Sequence, residues 1–257
     1  MLTKNIEFKN FIKSKKNKSS EQFLINIKKK IFEKSDPFLF SLTSKYKNLF
    51  DKNSIKRLKR YKNYTLIGMG GSSLGAKAIY SFLSNKIKKE FNFVDNIRLN
   101  KIPNNKKNLN IIISKSGNTL ETITNFNTLE NHKDSIFLTE NKENYLREIA
   151  SEMKKEIFEH QDYISGRYSV LSETGMLPAC LMGLDIKKFK RLDYLINDKN
   201  FVNQLILNVN GILNLYNNKK TNSIILNYDE NSNDLFLWYQ QLVAESLGKK
   251  SKGILPV

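Results

Sequence analysis

Hydrophobic positions along the chain change their period near residue 63. Before it, apolar residues recur at helical spacing, as in Phe23-Leu24, Ile27, Ile31-Phe32 and, beyond Pro37, Leu39, Phe40 and Leu42, the interval that lines up one face of a helix. From Tyr64 onward, short apolar runs alternate with longer amphipathic segments. The pattern predicts strands at Tyr64–Ile67, Ile97–Leu99, Asn110–Ile113 and Ser135–Leu138. Helices are predicted over Ser72 to about Asn85, Thr119 to about Leu129, and 141–154. The stretch Ile164–Leu181 holds the turn Ser165-Gly166-Arg167-Tyr168-Ser169 and then an apolar helix. Strands alternating with helices build an α/β fold, a parallel sheet sandwiched by helices.

A polar stretch at Asn197–Asn200 is expected to close this sheet domain. Beyond it the pattern predicts a helix over 201–217, a strand at Ser223–Leu226 and a helix over Asp234–Leu247. One strand and one helix are too little to bury a sheet. The expected organisation is therefore a helical N-terminal extension over 1–62, a first α/β domain over 63–198 and the incomplete start of a second over 199–257. The chain is expected to be cut short at its C-terminal end.

At 257 residues and 40% hydrophobic composition, the chain is long enough to bury a core. Cys180 is the single cysteine and sits among apolar neighbours, which favours a packed thiol over a nucleophile and excludes an internal disulfide. No apolar run is long enough to span a bilayer, and the first residues lack a leader-like apolar stretch. The expected location is the cytoplasm, with no membrane partner. The net charge of +18 raises nucleic acid as a partner. Against it, the arginines are confined to Arg57, Arg60, Arg98, Arg147, Arg167 and Arg191, and the other basic residues are lysines spread along the chain. Solvated helix faces account for those lysines, so no nucleic-acid partner is expected.

Candidate chemistry lies in two turns directly behind apolar runs. The first is Gly68-Met69-Gly70-Gly71-Ser72-Ser73-Leu74-Gly75. It fits neither a dinucleotide fingerprint, which would need glycine where Ser73 stands, nor a P-loop, which would need lysine where Ala76 stands. What remains is a strand, glycines that let a ligand approach the backbone, and Ser72 at a helix start. The second turn, Ser114-Lys115-Ser116-Gly117-Asn118-Thr119, crowds hydroxyl and ammonium donors behind Ile111-Ile112-Ile113. Neighbouring turns at the carboxyl edge of a parallel sheet can converge on one anion. Hydroxyls with one lysine suit the phosphoryl group of a small molecule. Arg167 adds a charge that cannot be deprotonated. Gln241 and Glu245, four residues apart, share a helix face near Phe236, Leu237, Leu242 and Val243. A carboxylate in such a hydrophobic surround can serve as a general base, although an exposed polar stripe on an amphipathic helix is the commoner origin of such spacing. His132 and His160 stand in charged surroundings without a partner at metal-ligand spacing, and both read as surface residues with no metal site.

The two turns, together with Gly166-Arg167-Tyr168-Ser169-Val170-Leu171-Ser172 and Gln241-Leu242-Val243-Ala244-Glu245-Ser246-Leu247-Gly248-Lys249, resemble four successive blocks of the glucose-6-phosphate isomerase family. The similarity runs from about Tyr64 to Val257. It implies two sugar-isomerase (SIS) domains, each a parallel sheet sandwiched by helices, assembled as a homodimer without metal or organic cofactor. It makes Ser72, Ser114, Lys115, Ser116 and Thr119 the phosphate site, with Gly71 and Gln241 also at the substrate. Arg167 would steady an enediolate, and Glu245 would move a proton between C2 and C1 of a sugar phosphate. The implied activity is interconversion of glucose 6-phosphate and fructose 6-phosphate, a step of glycolysis and gluconeogenesis. Family members also carry a ring-opening histidine and a late lysine, and this chain ends before either. The expectation is thus an isomerase fragment, with the alternative of an incomplete SIS protein that binds a sugar phosphate without turnover.

Overall fold

The computed structural model describes residues 18–97, 107–250 and 252–257. In chain order its elements are α1 (Lys18–Phe32), α2 (Pro37–Ser41), α3 (Lys52–Leu58), β1 (Asn63–Ile67), α4 (Leu74–Phe82), β2 (Glu90–Val94), β3 (Asn108–Ile113), α5 (Leu120–Asn127), β4 (Ser135–Glu140), α6 (Tyr145–Glu152), β5 (Glu156–His160), α7 (Glu173–Leu181), α8 (Leu192–Leu195), α9 (Lys199–Asn217), β6 (Asn222–Ser223), α10 (Asn233–Leu247) and β7 (Leu255–Pro256). The described residues form two compact units, one within Asn48–Ile186 with Ile225–Glu245, the other within 18–47, Lys187–Ile224 and Ser246–Val257.

The larger unit is built on a five-stranded sheet ordered β2-β1-β3-β4-β5, with every neighbouring pair parallel. Leu66, Ile67, Ile111, Ile112, Ile113, Phe137 and Leu138 are fully buried on β1, β3 and β4, as expected of strands covered on both faces. Ile67, Val94, Ile112 and Phe137 pack with Phe126, Leu129, Leu146 and Ala150 into one cluster. Phe126 meets Phe137 edge-on, ring centroids 5.3 Å apart, a favoured aromatic geometry. Asn108 and Asn110 are also buried on β3, and hydrogen bonds satisfy them. Asn108 donates to Thr65 Oγ1 at 3.2 Å and to Asn110 Oδ1 at 2.9 Å, and Asn110 donates to the Asn131 carbonyl at 3.1 Å. The Tyr64 hydroxyl donates to the carbonyls of Leu58 and Tyr61, tying α3 to β1. Burial pushes its pKa up to about 12, so it stays a donor throughout the ordinary pH range.

In the smaller unit, Asp36 caps α2 by accepting from Leu39 N–H at 3.1 Å, and Asp198 caps α9 through the N–H groups of Asn200 and Phe201. Such caps satisfy donors that a helix start leaves open. Asp193 accepts from both the backbone and the hydroxyl of Ser44. β6 and β7 pair in parallel, Asn222 with Leu255 and Ser223 with Pro256.

Three strands differ from the sequence expectation. Residues 98–99 of the strand expected at Ile97–Leu99 lie outside the described residues, and the strand pairing with β1 is instead Glu90–Val94. β5 falls in no predicted element. Both are edge strands with alternating exposed and buried positions, so neither carries the continuous apolar run that marks the central strands. The strand expected at Ser223–Leu226 is reduced to β6, with Ile224 and Leu226 exposed.

Because the sheet steps outward in both directions from β1 and β3, the crevice between their carboxyl ends is a topological switch point, where open α/β sheets receive ligands. Phe137→Ala is expected to lower the unfolding free energy by about 3–5 kcal/mol in urea titration. Leu120→Ala, at an exposed position, should change it by less than about 0.5 kcal/mol. Equal losses would show that the face of β4 toward Phe126 is not the core.

Candidate functional site

β1 and β3 run in register from Asn63 opposite Asn108 to Ile67 opposite Ile112, so the turns that follow them leave the sheet side by side. After β1 the chain makes a single 3-10 turn at Gly70–Ser72 before α4. This turn lies against a second 3-10 segment, Gly166–Leu171. A Cβ on Gly71 would sit 2.3 Å from the backbone carbonyl of Gly166, so only glycine permits this approach. The Ser169 hydroxyl lies 3.1 Å from the Gly71 carbonyl oxygen and 2.6 Å from that of Gly166, donating to both.

The turn after β3 is braced from within and from α6. Ser114 is 1% exposed. Its hydroxyl pairs with that of Thr119 at 2.8 Å and accepts from Gly117 N–H at 3.1 Å. Gly117 adopts φ +67° with Asn144 where a side chain would go, and its carbonyl accepts from Leu146 N–H. Asn118 Oδ1 accepts from Tyr145 N–H at 3.0 Å. Ser114, expected among the phosphate ligands, lies beneath the turn instead, and its contact is with Thr119.

Between the turns is a cavity of about 330 Å³ lined by Gly71, Ser72, Lys115, Ser116 and Thr119, with Met69 and Gly166 beside them. Lys115 donates to the Asp162 carbonyl at 2.6 Å, which fixes its ammonium at the rim. Glu140, Lys142 and Asp162 complete the lining. The sequence pattern does not reveal these three, because they stand at or just beyond the ends of β4 and β5 without any glycine or hydroxyl-rich signature. Strand-end position alone was the available signal.

Arg167, Gln241 and Glu245 form a second cluster next to the first turn. Arg167 Nη1 lies 3.4 Å from Glu245 Oε2, and Gln241 Nε2 donates to Glu245 Oε1 at 2.8 Å. The Gln241 amide nitrogen also covers Gly70, 3.0 Å from where a Cβ would stand. The Arg167 carbonyl accepts from the indole N–H of Trp238 at 3.2 Å. Its guanidinium lies 4.8 Å from the ring centre of Tyr168. The hydrogen bond to Tyr168, and then the contact with Glu245, hold its pKa above the ordinary value against the cost of desolvation. The Glu245 side chain is 45% exposed. Its carboxylate is thus only half covered, and the partners that frame it are the polar groups of Arg167 and Gln241.

His160, expected at the surface, is 3% exposed. Its Nδ1 is 2.8 Å from the Gln161 carbonyl, and burial holds its pKa below the usual 6.5, with the Lys115 charge acting the same way. Desolvation likewise raises the Cys180 thiol pKa, as befits a packed cysteine. Among the described residues, no group of three or more His, Cys, Asp or Glu is placed to hold a metal ion, and no helix is long and apolar enough to cross a membrane.

Residues 51–253 match the family model "Phosphoglucose isomerase". The chain is 33% identical over 231 residues to the glucose-6-phosphate isomerase of Methanocaldococcus jannaschii, an alignment covering 81% of this chain and 57% of that one. It is 30% identical to a probable glucose-6-phosphate isomerase of Methanococcus maripaludis, covering 94% of this chain and 60% of the relative. The chain thus spans less than two thirds of the length of these relatives. A crystal structure of a glucose-6-phosphate isomerase from Chlamydia trachomatis superposes with a TM-score of 0.66 at 20% identity, covering 92% of this chain and 57% of that one. A hypothetical protein of Thermus thermophilus does so with a TM-score of 0.68 at 23% identity, covering 93% and 64%. These likenesses establish the fold, a sugar-isomerase-type parallel sheet flanked by helices.

Gly71→Ala is expected to cost about 1–3 kcal/mol of stability, since the added methyl meets backbone that cannot yield. Urea titration checks it, and an unchanged midpoint would show that the Gly71–Gly166 approach is not needed. The unfolded chain protonates His160 near pH 6.5 while the folded chain, with its pKa lowered, does not. Stability conferred by burying the neutral ring is therefore present above about pH 6.5 and falls as pH drops through that value. His160→Gln should lessen this pH dependence, read from unfolding free energies on either side of about pH 6.5. Identical slopes would contradict it.

Proposed function

The chain belongs to the phosphoglucose isomerase family, and from that premise we propose that its cavity holds a hexose 6-phosphate and that the site interconverts glucose 6-phosphate and fructose 6-phosphate through a cis-enediol. The observation that carries this reading is the convergence of the glycine turn after β1 and the hydroxyl-rich turn after β3 on one cavity, with the Arg167–Glu245 pair beside the first turn.

Ser72, Ser116 and Thr119 offer hydroxyl donors to a phosphoryl group, Lys115 adds a positive charge, and Gly71 lets the ligand approach the backbone. Ser114 contributes by orienting the Thr119 hydroxyl. Gln241 holds the Glu245 carboxylate, which as general base takes the proton from C2 of the open-chain aldose and returns it at C1. The enediolate oxygen that develops meanwhile is met by Arg167, a fixed positive charge at hand before the reaction begins. Exposure of Glu245 suits this role, since the base has to reach its substrate. Binding at the phosphoryl end keeps the reacting carbons in register with the base.

The proposed organisation is a helical N-terminal extension up to residue 62, of which residues 1–17 lie outside the described residues, a SIS domain over 63–198 and a segment of a second over 199–257, acting in the cytoplasm within a homodimer. Supplied with fructose 6-phosphate in heavy water, the protein should form glucose 6-phosphate bearing deuterium at C2. Glu245→Gln should lower that rate by about 10²–10⁴-fold with binding retained. An unchanged rate in the variant would overturn the assignment of the base. Saturable binding of fructose 6-phosphate with no exchange in the unaltered protein would favour a sugar-phosphate binder without turnover.

A further inference from the structure

The cavity has two chemically different walls. On the side of β1 and β3 its polar groups are donors, the hydroxyls of Ser72, Ser116 and Thr119 and the Lys115 ammonium. On the side of β4 and β5 stand Glu140, with Lys142 beside its carboxylate, and Asp162, whose carbonyl holds Lys115. Glu140 is held firmly there. Its N–H donates to the Lys115 carbonyl at 3.1 Å, so it is bonded directly to the turn after β3. Arg147 Nε and Nη2 both donate to its carbonyl at 3.3 Å, and its side chain is 17% exposed. Lys142 Nζ lies 3.5 Å from Glu140 Oε2.

An ionised carboxylate only accepts hydrogen bonds, and so does a phosphoryl dianion. Placed against each other they repel, more strongly in a cavity than in water. A sugar hydroxyl can donate to the same carboxylate. We propose that Glu140, partly neutralised by Lys142, is a specificity-determining residue that accepts a hydrogen bond from a hydroxyl of the carbon chain between the phosphoryl group and the reacting end. It turns the phosphoryl group toward the donor wall and favours polyhydroxy phosphates over inorganic phosphate. This inference rests on the reading of the cavity as a sugar-phosphate site. It adds an acceptor wall that discriminates the remainder of the ligand.

The test is calorimetric titration of the whole chain with fructose 6-phosphate and, separately, with inorganic phosphate. Glu140→Leu removes both the charge and the acceptor. It is expected to tighten phosphate binding while weakening fructose 6-phosphate, so that the ratio of the two affinities falls by about tenfold, the scale of one hydrogen bond to a charged group. Glu140→Gln keeps an acceptor and the shape, and should recover part of the sugar-phosphate affinity while phosphate binding stays tightened. A purely structural role would move both affinities the same way. If the unaltered chain binds both ligands and the variants shift them together or not at all, the inference about Glu140 is overturned while the site reading stands. If the unaltered chain binds neither ligand, the site reading fails and the inference with it. Should Glu140→Leu fail to fold, Glu140→Gln decides by its effect on phosphate alone, where unchanged or weaker binding contradicts the proposal.

Discussion

The site depends first on the parallel pairing of β1 with β3. Their shared register, with Ile67 opposite Ile112, ends the two strands within one residue of each other and lets two turns emerge together at the switch point of the sheet. A slip of one residue would send every buried side chain of a strand to the opposite face. The fully buried Leu66, Ile67, Ile111, Ile112 and Ile113 make such a slip costly. The same apolar burial that stabilises the sheet therefore fixes the spacing of the groups above it.

Above the sheet, buried polar groups organise and exposed ones remain available to a ligand. Ser114 and Ser169 spend their hydrogen bonds on backbone and on neighbouring hydroxyls, leaving Ser72, Ser116 and Thr119 at the cavity. Lys115 is anchored on a carbonyl, which orients its charge without neutralising it. Arg167 is positioned by Tyr168, by Glu245 and through its carbonyl by Trp238. Preorganisation of this kind means that little side-chain freedom remains to be lost when a ligand arrives.

The central strands were legible from sequence because Tyr64–Ile67, Asn110–Ile113 and Ser135–Leu138 are nearly continuous apolar runs, the mark of strands covered on both faces. The edge strands β2 and β5 were not, since half of each faces outward and Asn92 and Glu159 break the runs. The two turns could be read from glycine and hydroxyl spacing. What spacing could not convey was direction. Ser114 and Ser116 are two residues apart, yet one is buried under the turn and the other lines the cavity. Glu140, Lys142 and Asp162 escaped notice for a related reason, as only the pairing of β3, β4 and β5 brings the ends of those strands to the site. Glu245 stands out by its helical spacing to Gln241, and the pair do touch. Its polar setting follows from Arg167, 78 residues away in sequence.

Everything proposed for this chain requires that the turns after β1 and β3 together make a phosphoryl site. A crystal structure of the chain with fructose 6-phosphate, read for the position of the phosphorus atom, decides the matter. Phosphoryl oxygens are expected within hydrogen-bonding distance of the hydroxyls of Ser72, Ser116 and Thr119, with the carbon chain facing Glu140. A phosphoryl group bound outside this cavity, or against the β4–β5 wall, would contradict that assignment.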